Sequence, residues 1–258
     1  MIMDIKYMDM RKYIMIAIVA LTAACATSCL EGSMKYNYPL TTSFEYQQFD
    51  NDKDFFKGKS YFDKMDFVYD VMMFTGTRNE ADSSLIGGFA LAYVCDSVLV
   101  TTVDGVETPR PEEDIDPYTA FLTDTLAYKT VNHFTVYTDN RTEGANPEKP
   151  IVFAYAGQEG CSCAPQSCFV VNTTYSALRL ASEEATASVE FTGYAGGAQT
   201  GSVSLDLKKD GKPLSLWTKV DLTPLGNIDY IVVNVKSNDD KVNMVAIDHI
   251  YFNINIEY

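Results

Sequence analysis

The chain has 258 residues, a formal net charge of −15 and 47% hydrophobic residues. This apolar fraction is enough for a large core and excludes wholesale disorder. Residues 1–29 carry three basic and two acidic side chains, so the remainder has a charge of −16. Such a charge argues against nucleic acid and anionic lipid as partners, because both repel an acidic surface.

The N-terminus has the layout of a secretory signal peptide. Arg11 and Lys12 form a short basic head, and an apolar run over 13–21 follows. The run is too short to be a stable membrane span. Two acidic residues precede Met10, which is unusual in a signal head, so we expect translation to start at Met10.

Two cysteines follow the apolar run, and each has the small preceding residues that a lipobox requires. Ala26-Thr27-Ser28 precedes Cys29, and Thr22-Ala23-Ala24 precedes Cys25. We predict lipidation at Cys29, since cleavage there leaves four cysteines, an even number that suits an oxidising compartment. Lipidation at Cys25 would leave five, and an ordinary secreted protein is the other alternative.

The predicted elements after Cys29 are mostly short strands. Residues 30–40 are interpreted as a tether. Strands are predicted at 41–46, 67–74, 87–95, 133–137, 151–156, 188–194, 201–207, 228–236 and 244–256. Loops are predicted at 51–54, 109–117 and 159–167, with a short helix or turn at 175–180. Many short strands with glycine-bearing turns predict one all-β domain over 41–258, an antiparallel jelly-roll β-sandwich.

Several stretches of the C-terminal half resemble the domain-of-unknown-function 4465 family of secreted Bacteroidota proteins. The matching segments are Phe169 to Leu178, Val189 to Tyr194, Trp217 to Leu222, Leu225-Gly226, Ile228 to Tyr230 and Val245 to Ile250. Gly88-Phe89-Ala90 and Phe44-Glu45 fit more loosely, so the resemblance covers 41–258 and is strong only from 169. It implies a jelly roll like those of carbohydrate-binding modules and a lipid-anchored position on the outer membrane, at the cell surface.

The expected function is non-catalytic binding of a nutrient-type ligand, with a glycan favoured, beside an outer-membrane importer of the TonB-dependent class. Corrinoid (vitamin B12) capture is one alternative, and a structural or adhesive role is another. Tyr118, Asn172 and Tyr175 are the candidate ligand-binding residues, the two tyrosines as exposed rings. Trp217 lies in a family-like pattern, so a core role is favoured over a sugar platform.

No enzyme motif is present: the sequence lacks a Gly-x-Ser-x-Gly elbow, a phosphate loop and a His-Glu-x-x-His pair. Asp and Glu are plentiful enough for a glycosidase-type carboxylate pair, although the sequence does not reveal distances between them. We therefore predict a protein that is not an enzyme.

Glu45 and Asp248 are the most specific polar pair, because jelly-roll binding modules often hold a structural calcium between an early glutamate and an aspartate on the last strand. Calcium requires several oxygen ligands. The prediction is a structural Ca²⁺ at Glu45 and Asp248. The alternative is that Asp248 caps or bridges a turn without metal.

Cys161, Cys163 and Cys168 lie in the predicted loop, which departs from the family pattern. A zinc site would need a fourth ligand, and the two histidines of the chain are remote in sequence and strand-bound. Disulfides are favoured in an exported protein. We predict that Cys168 pairs with either Cys161 or Cys163, and that Cys95 pairs with the other.

Overall fold

Short antiparallel strands dominate the computed structural model, which describes residues 34–45, 59–62, 66–124 and 133–257. Two large sheets pack against each other around one main core. This arrangement confirms the predicted all-β sandwich. From residue 151 onward successive strands repeatedly change sheet, as the predicted jelly roll requires.

The first sheet has eight strands in the described part of the chain. Its main order is β18 (Thr218–Asp221), β13 (Cys161–Asn172), β20 (Met244–Glu257), β11 (Phe134–Thr138), β6 (Leu85–Ala92) and β2 (Tyr61–Phe62). In addition, β1 (Lys35–Thr42) pairs with β20, and β5 (Gly76–Arg78) pairs with β6. The second sheet has six strands, in the order β15 (Ala198–Asp206), β14 (Ala187–Ala195), β19 (Tyr230–Ser237), β12 (Ile151–Phe153), β4 (Met72–Phe74) and β3 (Phe67–Tyr69).

Smaller elements complete the described fold. They are a parallel pair, β7 (Cys95–Asp96) with β10 (Ala120–Phe121), and two hairpins, β8 (Val100–Val103) with β9 (Val106–Pro109) and β16 (Lys208–Lys209) with β17 (Lys212–Pro213). One α-helix, α1 (Thr174–Leu180), matches the predicted short helix. Thr173 is its N-cap residue, and the Thr173 hydroxyl accepts a hydrogen bond from the Ser176 amide. Among the residues described, no helix is long and apolar enough to cross a membrane.

The main core forms because apolar side chains alternate along the strands and therefore share one face. On β20, Ile250, Phe252 and Ile254 are buried in this core, while the residues between them face the other side. On β19, Ile231 and Val233 contribute in the same way. The two sheets therefore bury their facing sides, and the outer sides remain available for other contacts.

A second apolar cluster lies on the outer side of the eight-stranded sheet. It joins Phe134 and Ala246 of the sheet with Leu122 and the half-buried Trp217. The rings of Phe134 and Trp217 meet edge to face, with their centroids 5.9 Å apart. Trp217 thus packs against this cluster, in agreement with the core role favoured by the sequence. Residues 93–124 and the Trp217 segment cover this part of the sheet.

The structure differs from the sequence prediction at several strands, for example at 67–74, where the single predicted strand is the hairpin of β3 and β4. Two of the differences concern the strands on either side of the end of β20. Strand β1 begins at Lys35, whereas a tether was predicted as far as Leu40. Its residues pair with β20 from Lys35↔Glu257 to Thr42↔Ile250. β1 is mostly exposed and contains Pro39, a residue type that argues against a strand in the sequence. One compact unit extends over Lys35–Glu257.

The second difference is that the predicted cysteine-rich loop at 159–167 is wrong from Cys161 onward. These residues are the first half of β13 and pair with the end of β20, beginning at Cys161↔Ile256. Small and polar residues such as Ser162 and Gln166 favour a loop in the sequence. Pairing with β20 overrides that local preference, as tertiary context commonly does for strands.

Candidate functional site

Strand β20 changes its neighbour in the middle of the eight-stranded sheet. Met244 to Ile247 pair with β11, whereas Ile250 to Glu257 pair with β1. Asp248 and His249 lie between these two stretches, and His249 has a left-handed φ of 45°. The register with β13 shifts at the same place. The strand therefore has a β-bulge here, and such bulges redirect side chains.

The bulge also changes which residues of β20 face the core. Val245 and Ile247 are core residues before it, and Ile250 and Phe252 are core residues after it. Because the alternation shifts by one residue, Asp248 and His249 stand together at the border between the two stretches. A one-residue shift of this kind is the expected consequence of an extra residue in one strand.

Glu45 lies between the end of β1 and the start of β11. Its Oε1 accepts a hydrogen bond of 3.1 Å from the His133 amide, and its Oε2 lies 3.4 Å from His133 Nδ1. The preceding Phe44 has a left-handed φ of 59° and a fully buried ring, which packs 5.2 Å from the Phe74 ring. Phe44 therefore anchors the turn that places Glu45 beside His133.

Asp248 is fully buried and holds His249 through two contacts. Its Oδ1 accepts a 2.7 Å hydrogen bond from the His249 amide, and its Oδ2 lies 2.8 Å from His249 Nδ1. Burial raises the pKa of Asp248, and the nearby charge of Glu45 raises it further, although the contacts with His249 act in the opposite direction. The hydrogen bond with Asp248 raises the pKa of His249. The pair therefore retains a proton more readily than the separate side chains do.

The charge of Glu45 acts on both Asp248 and His249. The end of β1 and the start of β11 flank the bulge of β20, with Thr42 opposite Ile250 and Thr135 opposite Ile247, so the predicted pair, Glu45 and Asp248, lies in one region with both histidines of the chain. His133 and His249 were expected to be remote and strand-bound. They share one site because β1, β11 and the bulge of β20 meet there.

The donor set of this site does not fit the predicted calcium. Glu45 faces the amide and ring nitrogen of His133, and Asp248 faces those of His249. Calcium prefers oxygen ligands, and these carboxylates are already engaged by N–H groups and imidazoles. Within the described residues, no group of three or more His, Cys, Asp or Glu side chains is arranged to hold a metal ion.

A thiol also lies close to the pair. The pKa of Cys95 is raised to about 11 by burial and by the charge of Asp248. A thiol with this pKa is protonated at neutral pH, and the thiolate is the nucleophilic form. Cys95 therefore contributes packing against the second apolar cluster, not a reactive group.

Aromatic rings surround His249 on the outer side of the sheet. The centroid of its ring lies 6.4 Å from that of Phe169 and 6.4 Å from that of Tyr251. All three side chains are half-buried, so each keeps part of its surface accessible. Phe169 lies opposite Asp248 on β13, and Tyr251 follows the bulge on β20. The result is a short row of rings across two strands.

Polar side chains continue this surface along β20. Asn255 pairs with Asn37 of β1 on one side and with Ser162 of β13 on the other. Asn37 Nδ2 donates a 3.0 Å hydrogen bond to Asn255 Oδ1, and Asn255 Nδ2 donates one of 3.4 Å to Ser162 Oγ. These residues line a surface cavity of about 460 Å³ together with Gly160 and Asn227.

We call this surface the open face. It is the outer side of the sheet from the bulge to the end of β20, and its residues are Asn37, Pro39, Thr41, Ser162, Ala164, Phe169, His249, Tyr251, Asn253 and Asn255. The residues of β1 in this set are exposed, and those of β13 and β20 are half-buried. The arrangement offers rings at one end and amides at the other.

The predicted ligand-binding residues lie elsewhere. Tyr118 is half-buried, and its ring stacks on Tyr61 with centroids 3.8 Å apart. Asn172 is fully buried, and its Nδ2 donates to the carbonyls of Leu207 and Leu214 at 2.8 and 2.9 Å. Asn172 therefore lies inside the domain and not on an accessible surface, and its side chain binds the two ends of the β16–β17 hairpin.

Tyr175 lies on α1 and belongs to a network of charged groups that also includes residues outside the helix. Its hydroxyl donates to Glu112 at 3.2 Å, and Glu112 also accepts from Arg179 at 2.6 Å and from Lys241 at 2.8 Å. Hydrogen bonds from Lys241 and then Arg179 lower the pKa of Glu112 to about 2. This network links the acidic loop that covers the sheet to α1, so Tyr175 fastens that loop.

The predicted disulfides are not formed in the structure, where Cys95, Cys161, Cys163 and Cys168 are free thiols. Cys163 and Cys168 both lie on β13 and are separated by five residues, which corresponds to about 16 Å of extended strand. A disulfide requires Cα atoms within about 7 Å. The extended path of β13 therefore keeps these thiols apart. Burial raises the pKa of Cys163 to about 12.

Cys29, the predicted lipidation site, and the predicted start at Met10 lie outside the described residues. His249, Tyr251 and Phe169 were not predicted from the sequence to be functional. A signal for the bulge exists in the sequence: the apolar alternation is odd-numbered up to Ile247 and even-numbered from Ile250. This break marks Asp248 and His249 as the place where the strand changes phase.

No protein-family model matches the chain, and no curated protein matches it. Among solved structures, the chain is similar to a DUF4465 family protein from Bacteroides ovatus ATCC 8483, with 13% identity and a TM-score of 0.48, over 88% of this chain and 100% of that one. It is also similar to a DUF4465 family protein from Bacteroides caccae ATCC 43185, with 15% identity and a TM-score of 0.48, over 83% of this chain and 98% of that one. Both carry the name of the family that the sequence resembles.

Proposed function

We propose that this protein is an exported, lipid-anchored binding protein that captures a glycan on the open face. The observation that carries the proposal is the combination of the Phe169, His249 and Tyr251 rings with the side-chain amides of Asn253 and Asn255 on one accessible surface. Lipidation at Cys29 would hold the domain at the outer membrane, beside an importer that takes up the captured ligand.

The chemistry of the open face matches that of a sugar. A pyranose has apolar C–H faces, which pack on aromatic rings, and hydroxyl groups, which both donate and accept hydrogen bonds. A carboxamide also donates and accepts, so Asn253 and Asn255 can bond to hydroxyls in either direction. Binding sites usually combine rings with a few placed polar groups in this way.

The same site supports binding over catalysis. A glycosidase requires two carboxyl groups on either side of the scissile bond. Here Asp248 is fully buried beneath His249, and Glu45 is engaged with His133. Cys95 is a protonated thiol. We therefore propose a role without chemical turnover.

The test is calorimetric titration of the mature chain with a glycan panel and with cobalamin. We expect a glycan to bind, and we expect Tyr251→Ala to weaken that binding by about tenfold, which corresponds to about 1.4 kcal/mol. The matched control is Tyr230→Ala, because Tyr230 lies on the outer side of the other sheet, where its ring stacks 4.9 Å from Tyr194.

Three results would contradict the proposal. One is binding of cobalamin without any glycan, which would favour corrinoid capture. Another is loss of glycan binding in the Tyr230→Ala variant with normal binding in Tyr251→Ala. The third is binding to no ligand of the panel together with co-purification of another surface protein, which would favour a structural or adhesive role.

A further inference from the structure

We infer that the ligand of the open face is an uncharged, linear oligosaccharide that lies along β20 and contacts both its ring end and its amide end. This inference rests on the proposed function and adds the length, direction and charge of the ligand. It is carried by the row of Asn37, Asn255 and Ser162, which lies on the same side of the sheet as Tyr251.

The first argument is length. Tyr251, Asn253 and Asn255 alternate with the buried core residues of β20, so all three face outward. Tyr251 and Asn255 are four residues apart, which corresponds to about 13 Å along the strand. One sugar ring is too short to contact both residues, whereas several linked rings can lie along the open face.

The second argument is shape. Asn253 pairs with Pro39 on β1 and with Ala164 on β13, and both of these side chains are short. The side chains beside Asn253, in the middle of the open face, therefore project only a short distance from the sheet. Higher side chains stand at the two ends of the open face, with Tyr251 beside His249 at one end and the Asn37 and Asn255 amides at the other. A chain of rings can lie along this shallow path without meeting a barrier.

The third argument is hydrogen bonding. Asn255 uses one N–H toward Ser162 and its oxygen toward Asn37, and these bonds fix the orientation of the row. A carboxamide has two N–H donors and an oxygen with two lone pairs, so each amide retains capacity for a ligand hydroxyl. The row is thus oriented before binding, which reduces the entropy that a ligand must overcome.

The fourth argument is charge. Glu45 and Asp248 lie at the ring end, each in contact with one histidine, and at the amide end Lys35 is paired with Glu257 at 3.0 Å, so each of these cationic or basic groups faces a carboxylate. The chain as a whole has a net charge of −15. A glycan with carboxylate or sulfate groups would meet repulsion on this surface. An uncharged glycan would not.

The experiment measures Kd by calorimetry for neutral gluco-, xylo- and manno-oligosaccharides from monosaccharide to hexasaccharide, with oligogalacturonides as the acidic series. The proteins are the mature chain, Asn255→Ala and Asn37→Ala, which remove the row at two points. The control is Asn234→Ala, because Asn234 lies on β19 between core residues and therefore faces the outer side of the other sheet.

We expect affinity to rise with length in one neutral series and then to level off. Asn255→Ala and Asn37→Ala should weaken the longest oligosaccharide about tenfold and leave the monosaccharide unchanged, whereas Asn234→Ala should change neither. Affinity that does not depend on length, equal losses for short and long ligands, or tighter binding of the acidic series would overturn the inference. Those results leave glycan binding itself intact, whereas binding of no glycan in any series would overturn the proposed function as well.

Discussion

The outer side of the eight-stranded sheet has two halves that differ in character, and the bulge at Asp248 and His249 separates them. On one half, small residues such as Ala92 and Ala246 lie beneath the covering segment of residues 93–124, which includes Leu122. On the other half, amides and half-buried rings are accessible to solvent. One strand, β20, thus supports packing along its first part and, in the proposed function, ligand binding along its last part.

Side-chain size explains the difference. Alanines on β6 and β20 let the covering segment approach the sheet closely, so the apolar cluster around Phe134 excludes water. Beyond the bulge the outward residues of β20 are Tyr251, Asn253 and Asn255, which would be costly to bury without partners. The first half therefore requires a protein cover, and the second half suits a ligand that arrives with its own hydroxyl groups.

The largest expected effect on stability comes from a substitution in the covered half of the sheet. Phe134 is fully buried in the second cluster, so Phe134→Ala should lower the free energy of unfolding by about 3–5 kcal/mol through lost burial and a cavity. Urea denaturation measures this change. The matched variant on the open half is Tyr251→Ala, which is half-buried and should cost about 1 kcal/mol. Equal losses in the two variants would show that the halves do not differ as proposed.

A smaller effect should appear in the pH dependence of the free energy of unfolding, through Asp248 and His249 at the bulge. The pKa values of Asp248 and His249 are both raised in the folded protein, so the folded state retains protons that the unfolded chain releases. Stability from this pair is therefore present below the unfolded pKa values and is lost as pH rises through the folded ones. Above pH 6.5, the ordinary value for His249, we expect the free energy of unfolding to decrease with increasing pH.

Denaturation curves across that range, on the wild type and on Asp248→Asn, test this expectation. The substitution removes the hydrogen-bonding carboxylate that raises the pKa of His249, so the decrease should become shallower. Glu112→Gln is the control, because the pKa of Glu112 is about 2 and its charge does not change in this range. An unchanged slope in Asp248→Asn would contradict the assignment of the shared proton to this pair.

The smallest effect on stability should come from the ion pairs of Glu112, at the edge of the segment that covers the sheet. Glu112 connects the covering segment to Arg179 and Lys241 through exposed ion pairs. Such pairs contribute little and are screened by salt. We expect Glu112→Gln to lower the melting temperature slightly in dilute buffer, and the difference from wild type to vanish in molar salt. A large loss that salt does not reduce would mean that the network is a main support of the cover.

Much of the sandwich could be predicted from the sequence, because buried strands such as β14 and β19 carry continuous apolar alternation. Strand β1 and the first half of β13 could not, since their residues are exposed or small and gain strand structure only by pairing with β20. Glu45 and Asp248 were predicted as a pair. Their histidine partners were not, because the neighbour change in β20 that unites them depends on contacts between distant segments.

The burial of Asn172 was not predicted, for a related reason. Asn172 follows an apolar stretch and precedes a helix cap, a pattern that also fits an exposed loop. Its burial follows from contacts with Leu207 and Leu214, more than thirty residues later in the chain. Local sequence patterns give the phase of a strand, whereas the exposure of a polar side chain near its end is decided by the segments that pack over it.

The most direct test of the central claim, that the open face binds the ligand, is hydrogen–deuterium exchange of the mature chain with and without the oligosaccharide that binds best. The account predicts slower exchange over 35–42, 161–169 and 249–257, which form the open face. Exchange over β14, β15 and β19, in the other sheet, should not change. Protection confined to β14, β15 and β19, with none on the open face, would contradict the account.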